Sequence, residues 1–131
     1  MLQKVFLVED ENDIQQIARV ALEMIGGLEV EMCSSGQEAL ESVARFAPDL
    51  ILLDVMMPGM DGVTTLQKLR EIDAVRNTPV AFMTAKAQPD QVESYRALGA
   101  VDVVSKPFDP MKLAEQIREI YRQARPEAPD S

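Results

Sequence analysis

LILLDVMMPGMDG, residues 50–62, sets four consecutive apolar residues directly against a carboxylate. Leu50 to Leu53 form a short unbroken apolar run, the pattern of a parallel strand covered on both faces. Asp54 stands where that run ends. Met-Met-Pro-Gly then turns the chain and Asp61-Gly62 opens the next element, since Pro and Gly favour turns and Asp favours helix starts. A lone acid at the tip of so water-averse a segment is costly unless it meets solvent or a partner there.

Outward from this strand, short apolar runs alternate with amphipathic ones. KVFLV (4–8) predicts a strand, followed by a helix over 12–25 that places Ile14, Ile17, Ala18, Ala21 and Ile25 on one face. Gly26 and Gly27 stop it, and LEVEMC (28–33) alternates like an edge strand. Ser35 with Glu38 fits a capping box, and Ala39, Leu40, Val43 and Ala44 follow as a buried stripe. APDLILLD (47–54) is the third strand, and Val63, Leu66 and Leu69 mark the third helix. PVAFMT (79–84) is a fourth strand, a polar helix spans 89–98 and ends at Gly99, and VDVV (101–104) is the last strand. Asp109-Pro110 predicts the start of a final helix with Leu113, Ile117, Ile120 and Tyr121 inward. RPEAPDS (125–131) is polar and Pro-rich, so residues 1–124 are expected to form one domain and 125–131 a loose tail or linker start.

Five strand–helix units in alternation predict an α/β fold: a doubly wound, five-stranded parallel sheet of flavodoxin-like (βα)5 form, strand order 2-1-3-4-5. Ligands of such sheets bind beyond the carboxyl ends of the strands, where the strand order reverses. Strand one ends in Glu9-Asp10-Glu11, strand three in Asp54, strand four in Thr84, and strand five runs through Ser105 into Lys106-Pro107. Taken singly, each has a plainer explanation: acids start helices, threonine suits strand ends, and lysine faces water. Turn chemistry alone gives no reason for all of them to share one rim.

Composition narrows the chemistry. The 131 residues suit one core, with 47% apolar and 27% charged residues typical of a water-soluble domain. A net charge of −9 disfavours contact with nucleic-acid phosphates or anionic membranes, and no apolar run reaches membrane length, so a cytoplasmic protein without a membrane segment is expected. The single cysteine, Cys33, excludes a disulfide framework and reads as a strand residue. The absence of histidine excludes Ser-His and Cys-His nucleophile pairs and histidine metal ligands. Carboxylates, hydroxyls and amines must do the work.

Phosphoryl transfer to a carboxylate suits this set. Clustered carboxylates repel unless a cation offsets them, and an all-oxygen donor set suits Mg²⁺. Asp10 and Asp54 are the candidate direct ligands, with Glu9 acting through water and a loop carbonyl completing the shell. Asp54 is the candidate nucleophile, and Lys106 and Thr84 would stabilise charge on the transferring group.

The ordered pieces VFLVEDE, PDLILLDVMMPGMDG, PVAFMTA and GAVDVVSKPFD resemble the receiver domain of two-component response regulators over about residues 3–123. The resemblance implies that Asp54 accepts phosphate from a histidine kinase or phosphotransfer protein and that Glu9 and Asp10 are the acidic pair. It also implies Asp10, Asp54 and the Met56 carbonyl as Mg²⁺ ligands, Thr84 as the switch hydroxyl, Lys106 as its counter-charge, and a cis Lys106–Pro107 peptide. The receiver would catalyse only its own phosphorylation and dephosphorylation, and would signal to a downstream protein target. A homodimer through helix four, strand five and helix five is open, with Arg96, Asp102, Arg118 and Arg122 offering charges, although solvated helix faces routinely carry such residues.

One departure stands out. Receivers often carry an aromatic residue three positions before the lysine, where this chain has Val103, and neither Phe82 nor Tyr95 is an obvious substitute. Val103 is the support for the alternative reading, a degenerate receiver serving as a phosphorylation-independent scaffold; the intact acid, threonine and lysine set opposes it. A haloacid-dehalogenase-type phosphatase would need a second Asp where Met56 stands, and a flavodoxin would need a Ser/Thr/Gly-rich loop where EDEND stands. The resemblance makes Met56 and Lys86 the positions that tune phosphate lifetime, and a methionine cannot position an attacking water, so slow phosphate loss is expected. Met56, Met57 and Met60 suit either loop packing or a docking surface. The few residues after Tyr121 are too short for an output module, which suits a stand-alone receiver or one excised from a longer protein.

Overall fold

The computed structural model describes residues 1–124. Five parallel strands, β1 (Lys4–Val8), β2 (Glu29–Cys33), β3 (Leu50–Asp54), β4 (Val80–Thr84) and β5 (Asp102–Ser105), lie in the order β2-β1-β3-β4-β5. They alternate with helices α1 (Asn12–Arg19), α2 (Gly36–Phe46), α3 (Gly62–Leu69), α4 (Pro89–Ala97) and α5 (Leu113–Ala124). This is the doubly wound architecture that the strand–helix alternation predicts. The tail expected over 125–131 lies outside the described residues.

β3 is the central strand, and all five of its residues are buried. Because successive side chains point to opposite faces, Leu50 and Leu52 join the core beneath α1 and α5 while Ile51 and Leu53 join the core beneath α2 and α3. Phe6 and Phe82 fill that second core, and Leu7, Leu22 and Leu113 fill the first. Two apolar layers thus clamp β3 and make Asp54 the end of a rigid mount.

Several local expectations need correction. The first helix is not one regular α-helix: it passes at Val20–Ile25 into a π-helical segment, whose wider turn is seen in the Gly26 N–H bond to the Ala21 carbonyl. The inward position after Ala21 and Leu22 is therefore Gly26 rather than Ile25. Gly26 packs so tightly on α5 that a Cβ there would lie 2.6 Å from that of Ala114. Ile25 is correspondingly exposed; Ile17, in the regular part of the helix, and Ala44 on α2 are exposed as well. The Ser35 hydroxyl accepts the Glu38 N–H as expected, but the Glu38 carboxylate takes the N–H of Ser34 instead of Ser35. Helix α5 begins only at Leu113, because Asp109 closes a turn through its carboxylate to the Met111 N–H and its carbonyl to the Lys112 N–H. β5 is shifted one residue along, to Asp102–Ser105.

Candidate functional site

Strand pairing dictates which acids meet. β1 and β3 are neighbours with Val8 opposite Leu53, so the next residues along, Glu9 and Asp54, emerge side by side. Thr84 ends β4 beyond Met83, which pairs with Asp54, and Lys106 follows Ser105, which pairs with Thr84. The Lys106 N–H bonds the Thr84 carbonyl at 2.9 Å, carrying the ladder one step past both strands. Glu9, Asp54, Thr84 and Lys106 are therefore brought to the rim by the backbone ladder.

The side chains converge as well. Carboxylate oxygens of Glu9, Asp10 and Asp54 all lie within 4.8 Å of one another. Lys106 Nζ sits 3.2 Å from both Glu9 Oε1 and Asp54 Oδ1, bridging two carboxylates that are almost wholly buried. Glu9 Oε2 accepts the Glu11 N–H at 3.0 Å. The Thr84 hydroxyl, only 3% exposed, accepts the Lys86 N–H at 3.0 Å. Its O–H can still donate toward the rim. Met56, two residues past Asp54, has an exposed side chain, whereas Met57 is buried and Met60 packs near Gly36.

The charges are in tension. Burial pushes the Glu9 carboxyl up to about 7, the Glu11 amide pulls it back, and the neighbouring Asp54 raises it further. Burial also raises Asp54, against the pull of Lys106 and of the Met56 backbone. Lys106 loses solvation too, but Asp54 and Glu9 more than reverse this and its pKa ends raised. One lysine cannot fully offset this acid cluster, and a hard divalent cation fits the all-oxygen donor set.

Two residues that shape the rim lie outside the sequence-based set. Gly62 follows its helix cap Asp61, whose carboxylate accepts the Thr64 N–H at 2.8 Å. A Cβ on Gly62 would fall 2.3 Å from the Asp54 carbonyl oxygen, so this glycine lets the loop fold back beneath the acid. Gln15, on α1, reaches back to the Glu9 carbonyl. Asp-Gly reads in sequence as a turn, and no spacing rule marks Gln15. An apolar groove of about 290 Å³, lined by Ile14, Ile17, Ala85, Pro107 and Phe108, adjoins Lys106. The Lys106–Pro107 peptide is cis, as the resemblance implies.

Comparison with known proteins settles the family. The response regulator receiver domain family matches residues 5–118. The chain belongs to that family. Curated relatives of this receiver domain include the phosphate regulon transcriptional regulatory protein PhoB of Rhizobium meliloti, 34% identical over 97% of this chain and 56% of that protein. The alkaline phosphatase synthesis transcriptional regulatory protein PhoP of Bacillus subtilis is also 34% identical, over 100% of this chain and 53% of the relative. The chain thus spans about half the length of the curated relatives it matches. Among solved structures, the chemotaxis protein CheY4 of Vibrio cholerae superposes with a TM-score of 0.83 at 30% identity, covering 92% of this chain and 99% of that one.

In this receiver domain Val103 is buried and shares a core with Phe82, against which the Tyr95 ring packs edge-on at 5.2 Å. The ring pair beside Val103 is thus carried by β4 and α4, while Phe6 of β1 and Phe46 of α2 belong to the same core. Arg96 pairs with Asp102 at 3.2 Å, Arg122 pairs with Glu119, and Arg118 donates to the Gly26 carbonyl, so these charges have partners within the chain. No helix among the described residues is long and apolar enough to cross a membrane.

Proposed function

We propose that this receiver domain is a phosphorylation-dependent signalling switch in which Asp54 takes a phosphoryl group from a histidine kinase or phosphotransfer protein. The observation that carries the reading is the meeting of Glu9, Asp10 and Asp54 within 4.8 Å, with Lys106 spanning two of them. The chain has no histidine, so a phosphohistidine donor has to come from outside these 131 residues. The apolar groove beside Lys106 offers that partner a surface next to the acid.

In the transfer, an Asp54 carboxylate oxygen forms a bond to phosphorus as the donor's P–N bond breaks, its electron pair staying on the imidazole nitrogen. Asp10, Asp54 and the Met56 carbonyl would hold Mg²⁺, with Glu9 acting through water, and the bound ion would supply positive charge against the phosphoryl oxygens and the clustered acids. Lys106 already lies 3.2 Å from Asp54, placed to meet the negative charge arriving there. The Thr84 hydroxyl, held at its oxygen by the Lys86 amide, donates its hydrogen to a phosphoryl oxygen and so couples the loop after β4 to the phosphorylation state. The domain catalyses only its own phosphorylation and dephosphorylation, and passes the signal by contact with a downstream protein in the cytoplasm.

Residues 1–124 act as the receiver unit and 125–131 as a tail or linker. The curated relatives are named transcriptional regulators; in any longer form of this protein, DNA contact would fall to residues outside this chain, whose net charge of −9 disfavours a phosphate backbone. The test is incubation with Mg²⁺ and a small acyl phosphate, followed by intact mass measurement. One added phosphoryl group, lost in Asp54→Asn and without Mg²⁺, supports the switch. Labelling that survives Asp54→Asn overturns the assignment, and no labelling of the parent favours a phosphorylation-independent scaffold.

A further inference from the structure

The turn that carries the acidic pair is held from within by one side-chain bond, from the Glu11 N–H to Glu9 Oε2 at 3.0 Å. Glu9, Asp10 and Glu11 link β1 to α1, and the helix cap, Glu11, makes no side-chain capping bond. Asp10 is half-exposed, and its carboxylate belongs to the cluster on the rim. The conformation of this turn decides where that carboxylate stands.

Gln15 grips the turn at both ends. Its backbone N–H bonds the Glu11 carbonyl at 3.0 Å, which any residue at this helix position would do. Its side chain does what few could: Nε2 lies 2.5 Å from the Glu9 carbonyl, 3.2 Å from Ser34 Oγ and 3.4 Å from the Cys33 carbonyl. The Cys33 carbonyl also accepts the Glu9 N–H at 3.0 Å. One amide thus gathers the ends of β1 and β2 around the first peptide of the acidic turn. Because a peptide unit is planar, holding the Glu9 carbonyl also fixes the Asp10 nitrogen and the direction in which the Asp10 Cα departs. A primary amide suits this place, since Nε2 carries two hydrogens and has three carbonyl or hydroxyl acceptors within reach.

We propose that Gln15 is a positioning residue for the cation site, setting the Asp10 carboxylate through the Glu9–Asp10 peptide. The proposal rests on the reading of Glu9, Asp10 and Asp54 as a Mg²⁺ site. Gln15 itself touches neither the cation nor the phosphoryl group. Its loss weakens the entropic preparation of the site: Asp10 must be ordered when the cation binds instead of beforehand.

The test is isothermal titration of Mg²⁺ into the full chain, for the parent and for Gln15→Met, which keeps length and helix preference but lacks both donors. Gln16→Met, an exposed neighbour, is the control. The expected result is a Mg²⁺ dissociation constant raised at least about threefold in Gln15→Met and unchanged in Gln16→Met. Acyl-phosphate labelling of Gln15→Met should return to the parent rate at saturating Mg²⁺, a split that general loosening of the fold would not produce. Urea unfolding of each variant separates folding from binding: a Gln15→Met protein that is folded but binds Mg²⁺ like the parent overturns the proposal. If Gln15→Met does not fold, Gln15→Glu, which sets a carboxylate against the same carbonyls, must show the same weakened affinity or the proposal fails. Should the parent show no saturable binding that Asp10→Asn abolishes, the site reading falls first and the proposal with it.

Discussion

Metal-free protein should lose stability as the pH rises through neutrality, and Glu9 is the cause. Its carboxyl is held near 7 against an ordinary 4.5, chiefly by burial. In that range the folded state binds a proton that the unfolded state has released. The contribution is therefore complete below the unfolded value and is lost as pH climbs through the folded one. A displacement of this size is worth about 3 kcal/mol, and the nearby Asp54, also raised, shares in it. Glu9→Gln isolates the effect, because it keeps the shape of the neutral acid but cannot ionise. With a chelator present, parent and variant should unfold at similar urea concentrations near about pH 5, monitored by circular dichroism. Near about pH 8 the variant should be more stable by about 2–3 kcal/mol. Adding Mg²⁺ should close that gap for the parent, because a bound cation favours the ionised acids. A difference between parent and Glu9→Gln that stays flat across this range would refute the account of the acid cluster.

Lys106→Met leaves two buried carboxylates without their shared cation; metal-free stability near neutral pH should fall by about 3–5 kcal/mol, with a smaller loss under mild acid, read from urea midpoints. Gly62→Ala sets a Cβ against the Asp54 carbonyl at a distance no backbone tolerates, so it should cost about 1–3 kcal/mol and slow acyl-phosphate labelling, whereas Gly59→Ala meets only the strain of its positive φ and leaves the Asp54 backbone in place. With Met56 and Lys86 flanking the site, the phosphorylated form should decay over minutes or longer once the donor is removed, and a half-life of seconds in Mg²⁺ would contradict this.

The layout of the sheet was legible because β3 is apolar on both faces and its neighbours alternate with helices at regular spacing. The rim was legible for a related reason: strand ends are fixed by where apolar runs stop, and strand order then brings Glu9, Asp54, Thr84 and Lys106 to one edge. What sequence periodicity could not show was the π-helical segment at Val20–Ile25, since a widened turn leaves the same residues in the same order and only rotates which of them face inward. Ile25 gives way to Gly26 for that reason. The start of α5 was misplaced because Asp109 is equally good at capping a helix and at closing a turn, and its contact with Met111 selects the turn. Gln15 was invisible because its partners are backbone carbonyls brought from another strand, and carbonyls carry no residue-specific signal. Lys106 was correctly placed on the rim, but its bridge to Glu9 as well as Asp54 depends on side-chain packing that spacing does not encode.

The central claim is that Asp54 is the atom-level acceptor, and site mapping tests it most directly. The protein is phosphorylated with a small acyl phosphate in Mg²⁺, reduced with borohydride so that an aspartyl phosphate becomes homoserine, and digested for peptide mass spectrometry. Homoserine at position 54, and at no other aspartate of the chain, is the predicted result. Reduction at Asp10 or Asp61, or an added phosphoryl group that resists borohydride, would contradict the account.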